Sequence, residues 1–103
     1  MKISDFQDKI RYLYLENDKK RGINGTFIWL VEEIGELATL LNDEQLKIPK
    51  ISEELSDIFA WTLSIANLLN IEMESAVSLK YPEKCVKCGK APCQCDSKHK
   101  IKY

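Results

Sequence analysis

Several common features are missing from this sequence of 103 residues, and each absence excludes a class of protein. No apolar run reaches the roughly 18 residues that a membrane-spanning helix requires, so no membrane span is predicted. Residues 1–10 lack the apolar segment of a secretory signal, and we therefore expect a cytoplasmic protein. No stretch alternates strictly between apolar and polar residues, which argues against strands. The expected fold class is all-α.

Histidine is almost absent as well, since His99 is the single histidine of the chain. A carboxylate-bridged di-iron centre in a helical bundle uses paired Glu-x-x-His motifs. One histidine near the end of the chain cannot supply them, and this argues strongly against a di-iron centre.

Charge is divided unevenly along the chain. Residues 1–79 contain eight Lys/Arg and fourteen Asp/Glu, a net charge of −6, whereas residues 80–103 contain seven Lys and two acids, a net charge of +5. A basic tail either contacts phosphates or is simply a solvated end. We favour the solvated end and expect no nucleic-acid partner.

The spacing of apolar residues predicts four helices joined by short loops. The predicted helices cover residues 4–20, 26–41, 52–69 and 72–80. Helices of this length favour an antiparallel bundle. We assign this bundle to residues 1–82 and a cysteine-rich tail to residues 83–103.

Local signals set the ends of these helices. Ser4, Thr26 and Ser52 are predicted N-caps, and Gln7 follows Ser4 at the capping-box position. The segment 21–25 is a predicted break, because its Gly and Asn residues supply turn conformations.

The second and third predicted helices each present two apolar lines. The first lines are predicted core stripes. They consist of Phe27, Leu30, Val31, Ile34, Leu37, Ala38 and Leu41, and of Ile51, Leu55, Ile58, Thr62, Ile65 and Leu69. The second lines combine carboxylates with large apolar residues. They consist of Trp29, Glu33, Glu36 and Leu40, and of Glu54, Asp57, Trp61 and Leu68.

If the two helices pack antiparallel, the carboxylate pairs of the second lines face each other across a cleft. Clustered carboxylates repel one another unless cations are bound or protons are taken up. Oxygen ligands suit Mg²⁺. The alternative is an ordinary solvated acidic face, which the repeated placement beside Trp residues disfavours.

The segments EEIGE and ELSD resemble the EExxE…ExxD signature of the MazG-like nucleoside triphosphate pyrophosphohydrolases, over roughly residues 26–69. The resemblance implies an all-α enzyme that assembles as a dimer or a pair of dimers. It also implies Mg²⁺-dependent hydrolysis of a nucleoside triphosphate to the monophosphate and pyrophosphate. By motif position it implies four metal ligands and one residue that positions water or shares in metal binding. The ligands are Glu33, Glu36, Glu54 and Asp57, and the further residue is Glu32.

Three further residues are candidates for substrate binding, each with a second interpretation. Lys80 follows the ExxD helix and either contacts phosphates or interacts with the helix dipole. Trp29 and Trp61 either stack on a base or pack in the bundle. Together with Leu40 and Leu68, the two Trp residues are also predicted to form the homo-oligomer contact. A non-enzymatic helical module that binds nucleotides or docks a partner is the alternative function.

All four cysteines lie in the segment CVKCGKAPCQC, at Cys85, Cys88, Cys93 and Cys95. Cys-x2-Cys-Gly is a common opening of a zinc knuckle, in which a residue such as Gly89 accepts the tight backbone. We favour one structural Zn²⁺ held by four thiolates, with disulfides or free thiols as alternatives. His99 is a conceivable substitute ligand.

Overall fold

A computed structural model of the chain describes residues 1–96 and contains three α-helices in that range. They are α1 (Ile3–Leu41), α2 (Ile48–Leu68) and α3 (Met73–Lys80). No strand occurs in the described part of the chain, so the all-α prediction is confirmed. The contacts define two compact units, Met1–Met73 and a second unit that begins at Glu74. The domain boundary that we placed after residue 82 stays a prediction, and His99 lies outside the described residues.

The prediction of four helices is wrong, because the first two predicted helices are one kinked helix. Within α1 only Gly22 leaves helical geometry, with φ 76° and ψ 176°. This left-handed φ is accessible to glycine at little cost. Thr26 is not an N-cap, since it is buried inside α1 and its Oγ1 donates a hydrogen bond to the Gly22 carbonyl at 2.8 Å. The predicted break at 21–25 is therefore a kink at a single residue.

The helices also begin earlier than their predicted caps. Lys2 is the N-cap of α1, and its backbone N–H donates to Asp5 Oδ2 at 2.8 Å, so Ser4 is already helical. Lys47 precedes α2, whose first turn contains Pro49. Proline suits this position because the first N–H groups of a helix have no partner within the helix.

Unit Met1–Met73 is built on the antiparallel pairing of α1 with α2. The contacts show that the two helices run in opposite directions. Gln7 near the start of α1 contacts Asn67 near the end of α2, and Trp29 further along α1 contacts Trp61 earlier on α2. Gln7 is a buried core residue and not a capping-box residue. Its Nε2 donates to Asn67 Oδ1 at 3.0 Å and to the Ile71 carbonyl at 2.8 Å, and its Oε1 accepts from the Met73 N–H at 3.0 Å. A buried amide whose donors and acceptor are all paired fixes the register of the two helices.

The predicted core stripe of residues 27–41 is largely exposed in the single chain. Phe27 is 53% exposed and Ile34 is 47% exposed, and Leu55 and Phe59 on α2 are exposed to a similar extent. The second lines face the neighbouring helix instead. Few apolar side chains are buried within the described residues, namely Ile10, Ile51, Leu63 and Ala66. None of the described helices combines the length and apolar character that a membrane crossing requires.

Candidate active site

Four carboxylates from α1 and α2 meet where the second lines of the two helices face each other. Carboxylate oxygens of Glu33, Glu36 and Glu54 lie within 4.8 Å of one another. Asp57 joins them through a hydrogen bond with Glu33, and Glu36 is hydrogen-bonded to Glu54. Each helix contributes two carboxylates three residues apart, which places them on one side of that helix. The antiparallel pairing then brings the two pairs together.

The crowding of these groups changes their ionisation. Burial, the hydrogen bond with Asp57 and the neighbouring charges of Glu54, Asp57 and Glu36 raise the pKa of Glu33 to about 7. Burial and then the charge of Glu36 raise the pKa of Glu54. Without a cation, the cluster therefore retains protons at pH values where isolated carboxylates are ionised. A divalent cation can replace these protons.

The residues present fit a hard cation. All the clustered donors are carboxylate oxygens, the ligand type that Mg²⁺ prefers. Glu54 Oε2 is buried without a hydrogen-bond partner among residues 1–96, although a buried carboxylate oxygen normally has one. Glu32 is different, because it is exposed on α1 and is not part of the cluster formed by Glu33, Glu36 and Glu54.

A cavity of about 340 Å³ is lined by Asp57 and Trp61 of α2 and by Asp18 and Arg21 of α1. Trp61 stacks on Trp29 with ring centroids 6.1 Å apart and planes 9° apart, so each Trp packs against the other within one chain. Trp61 also lines the cavity and carries the Arg21 guanidinium 4.8 Å from its ring centroid. Sequence reasoning did not identify Arg21 as a site residue, because it falls in the predicted break at residues 21–25.

A second cavity of about 340 Å³ lies at the other end of the cluster. Glu36, Glu53 and Glu54 line it together with Lys50 and Leu40. Lys50 is the cation that the structure places beside these carboxylates, four residues before Glu54 on the same face of α2. Its spacing from Glu54 was the available sequence signal, and it was missed because residues 42–50 looked like a loop.

Lys80 belongs to the second unit, where it is the last residue of α3. It lines a cavity of about 270 Å³ with Tyr81, Lys84 and Lys90. A role for Lys80 at the phosphates stays a prediction.

The second unit also contains the four cysteines, which converge on one point. Their sulfur atoms all lie within 4.8 Å of one another. Cys85 Sγ is 3.8 Å from Cys95 Sγ, and Cys88 Sγ is 4.0 Å from Cys93 Sγ. A disulfide would require about 2.05 Å, so these are free thiols. The cluster can hold one metal ion.

The backbone around the cysteines supports this arrangement. Gly89 has φ 71° and its N–H donates to the Cys85 carbonyl at 2.8 Å, which closes the predicted tight turn. The Gln94 N–H donates to Cys88 Sγ at 3.4 Å. Hydrogen bonds from the backbone of Gln94 and Lys90 lower the pKa of the Cys88 thiol to about 6. A stabilised thiolate is the form that binds metal.

The fold and the site together define a class of protein: an all-α chain in which two antiparallel helices bring four carboxylates to one point. The sequence model of the MazG nucleotide pyrophosphohydrolase domain matches residues 22–88, and the chain belongs to this family. The match begins at the Gly22 kink and includes the whole carboxylate cluster. No curated protein matches the chain closely enough to count as a relative.

Proposed function

We propose that this protein is a Mg²⁺-dependent nucleoside triphosphate pyrophosphohydrolase, which converts an NTP or dNTP to the monophosphate and pyrophosphate. The observation that carries the proposal is the meeting of Glu33, Glu36, Glu54 and Asp57 inside the region that matches the family. Hydrolysis adds a water oxygen to the α-phosphorus and breaks its bond to the α–β bridging oxygen. Pyrophosphate leaves with that oxygen.

The four clustered carboxylates would hold the metal. Bound Mg²⁺ supplies a Lewis acid for the phosphate oxygens and lowers the pKa of a coordinated water. The cavity lined by Glu36 and Glu54 also contains Lys50, which would offset part of the remaining phosphate charge. We assign Glu32 to orienting the attacking water, because it directly precedes Glu33 on α1 and is exposed to solvent.

Trp61 rather than Trp29 is the proposed contact for the nucleoside. The two rings stack on each other, but Trp61 also lines the cavity that contains Asp57. An aromatic wall beside a metal-bound triphosphate suits a stacked or edge-on base.

The proposed reaction predicts specific products. Incubation with Mg²⁺ and a panel of NTPs and dNTPs should yield a nucleoside monophosphate and pyrophosphate from at least one substrate, measured by ion-exchange chromatography. EDTA should abolish the reaction. Orthophosphate and a diphosphate as first products, or full activity in EDTA, would reject the proposed chemistry. Binding of nucleotides without any turnover would favour the non-enzymatic alternative.

We also propose that the chain assembles with copies of itself as a dimer or a tetramer. The basis is the exposed apolar face of Phe27, Val31 and Ile34 on α1 and of Leu55 and Phe59 on α2. Large contiguous apolar surfaces usually mark an interface. The contact predicted through Trp29, Leu40, Trp61 and Leu68 is less suitable, because the two Trp rings already stack within the chain.

Assembly through this face predicts an oligomer by light scattering at micromolar concentration. Ile34→Lys should shift it towards the monomer, because a lysine at the centre of an apolar contact loses its hydration. Lys20→Gln, an exposed change elsewhere on α1, should leave the mass unchanged. A wild-type monomer with normal activity would contradict the proposed assembly.

We propose zinc as the metal of the four cysteines. A tetrahedral site with Zn–S bonds of about 2.3 Å separates its sulfur atoms by about 3.8 Å, close to the 3.8 and 4.0 Å between the paired thiols. Four thiolates leave no open position, so the role is structural. Lys84, Lys87 and Lys90 would offset the negative charge of such a centre.

A further inference from the structure

We infer that Arg21, fixed in place by Asp18 and Trp61, selects substrates whose base presents a carbonyl oxygen and discriminates against adenine. The inference rests on the proposed function, since it assigns the nucleoside end of the same site. Asp18 acts through Arg21 and is therefore a positioning residue.

The Asp18–Arg21 pair is built into the interior of the first unit. The Asp18 side chain is 0% exposed and Arg21 is 30% exposed, and Arg21 Nη2 donates to Asp18 Oδ1. Removing an ion pair from water costs free energy. Two residues three positions apart on a helix, such as Asp18 and Arg21, usually form their ion pair on the solvated surface. Asp18 Oδ2 and Arg21 Nε also lack hydrogen-bond partners among residues 1–96. Stability alone gives no reason for this arrangement, whereas a need to orient the guanidinium does.

Two contacts hold the guanidinium in one orientation. The buried Asp18 carboxylate binds one of its nitrogens. The Trp61 ring lies 4.8 Å away under its carbon atom Cζ. A pre-organised arginine loses little side-chain entropy when it makes a further hydrogen bond.

The position of this arginine relative to the metal centre points to the base. Arg21 and Asp57 line the same cavity, and Trp61 lies one helical turn, about 6 Å, beyond Asp57 along α2. Phosphates held at the carboxylate cluster therefore leave the nucleoside to extend towards Trp61 and Arg21. Tyr14 adds an aromatic surface, and Asn17 and Ser64 add polar groups to the same cavity.

Arginine has donors and no acceptor, so it recognises oxygen and ring-nitrogen acceptors. Guanine, cytosine, uracil and thymine each carry a carbonyl oxygen, and arginine pairs well with guanine O6 and N7. Adenine offers Arg21 ring nitrogens such as N7 but no carbonyl oxygen, and its amino donor would face the second donor of the guanidinium fork. Asp18 also borders this cavity, but its side chain is 0% exposed and its Oδ1 already accepts from Arg21 Nη2, so it offers the amino group no accessible acceptor.

The test is kcat/KM for GTP, CTP, UTP and ATP with wild-type protein and with Arg21→Gln, Arg21→Lys and Asp18→Asn. Wild type should prefer its best carbonyl-bearing base over ATP by about tenfold or more, as one charge-assisted hydrogen bond provides. Arg21→Gln should reduce this preference to within about threefold. Arg21→Lys should restore it only in part, since the fork is lost. Lys20→Gln removes the same charge from an exposed neighbour and should change nothing.

Asp18→Asn should lower the base preference as Arg21→Gln does, and the double variant should lower it no further, because the two residues act together. A purely structural Asp18 would lower activity on all four substrates equally. If Arg21→Gln lowered kcat/KM equally for all four substrates, Arg21 would contact phosphate and the inference would be wrong. An unchanged base preference in Arg21→Gln would also overturn it.

Binding separates this inference from the proposed reaction. Dissociation constants of GMP, CMP, UMP and AMP, measured through tryptophan fluorescence, do not depend on turnover. If no triphosphate is hydrolysed, the proposed function is wrong, but a preference over AMP that Arg21→Gln removes still supports the base contact. Equal affinity for the four monophosphates would reject it, whatever the activity.

Discussion

Glu36→Gln and Asp57→Asn are each expected to lower pyrophosphate release by at least about 100-fold, as the loss of a metal ligand or its immediate support does. Each change replaces one anionic oxygen of the cluster with a neutral amide nitrogen or oxygen. Initial rates at saturating Mg²⁺ measure the effect. The fold should survive, since Glu36 and Asp57 are exposed at the edge of the cluster. Thermal stability without metal should rise, because one of several repelling carboxylates is removed.

Glu53→Gln is the matched control for these variants. Glu53 adjoins Glu54 on α2 and borders the second cavity, but it is exposed and is not one of the clustered metal-binding candidates. Its substitution should change the rate by less than about threefold, as is usual for a surface position. A loss as large as that of Asp57→Asn would mean that the helical register of the site has been assigned incorrectly.

The second large effect concerns the cysteines. Purified protein should contain one Zn²⁺ per chain, and Cys88→Ser should reduce this to nearly none, because one missing thiolate destroys a closed tetrahedral site. None of residues 83–96 is buried, so this segment should become protease-sensitive once the metal is lost. Mg²⁺-dependent hydrolysis should stay within about threefold of wild type, since the zinc has no open position for chemistry.

Metal analysis and thiol titration under reducing conditions decide between the alternatives for the cysteines. One zinc and four protected thiols support the structural site. Val86→Ser, a change between two cysteines that supplies no ligand, should retain the zinc. Four freely reactive thiols without metal would reject the zinc site. A loss of hydrolysis when zinc is removed would reject a purely structural role for the metal.

The carboxylate cluster was predictable because helical periodicity fixes which side chains share a face. Glu33 and Glu36 had to lie on one side of their helix, and Glu54 and Asp57 on one side of theirs. The prediction of the cluster then required only that the two helices pack antiparallel. The same periodicity could not tell which apolar line faces the neighbouring helix, since both lines carry large apolar residues. The choice depended on the whole chain. On α1 the line assigned to the core is largely exposed, whereas Ile51 at the start of the α2 line is buried.

The residues that were missed have contacts that no local pattern contains. Gln7 is three residues from Ser4 and looks like half of a capping box, yet its partners are Asn67, Ile71 and Met73, more than 55 positions away. Asp18 and Arg21 have the spacing of an ordinary surface ion pair, and only the packing of α2 buries them. Gly22 correctly marked a change of direction, but one glycine interrupts the helix without separating its two parts into independent elements.

The most direct test of the account is the number of Mn²⁺ ions bound per chain, counted by electron paramagnetic resonance in place of Mg²⁺. Wild-type protein should bind at least one Mn²⁺, and Asp57→Asn should weaken that binding by at least about tenfold. Cys88→Ser should leave Mn²⁺ binding unchanged, because Cys88 belongs to the separate thiolate cluster. Undiminished Mn²⁺ binding after substitution of Asp57, and likewise of Glu36, would contradict the assignment of the four carboxylates as the metal centre.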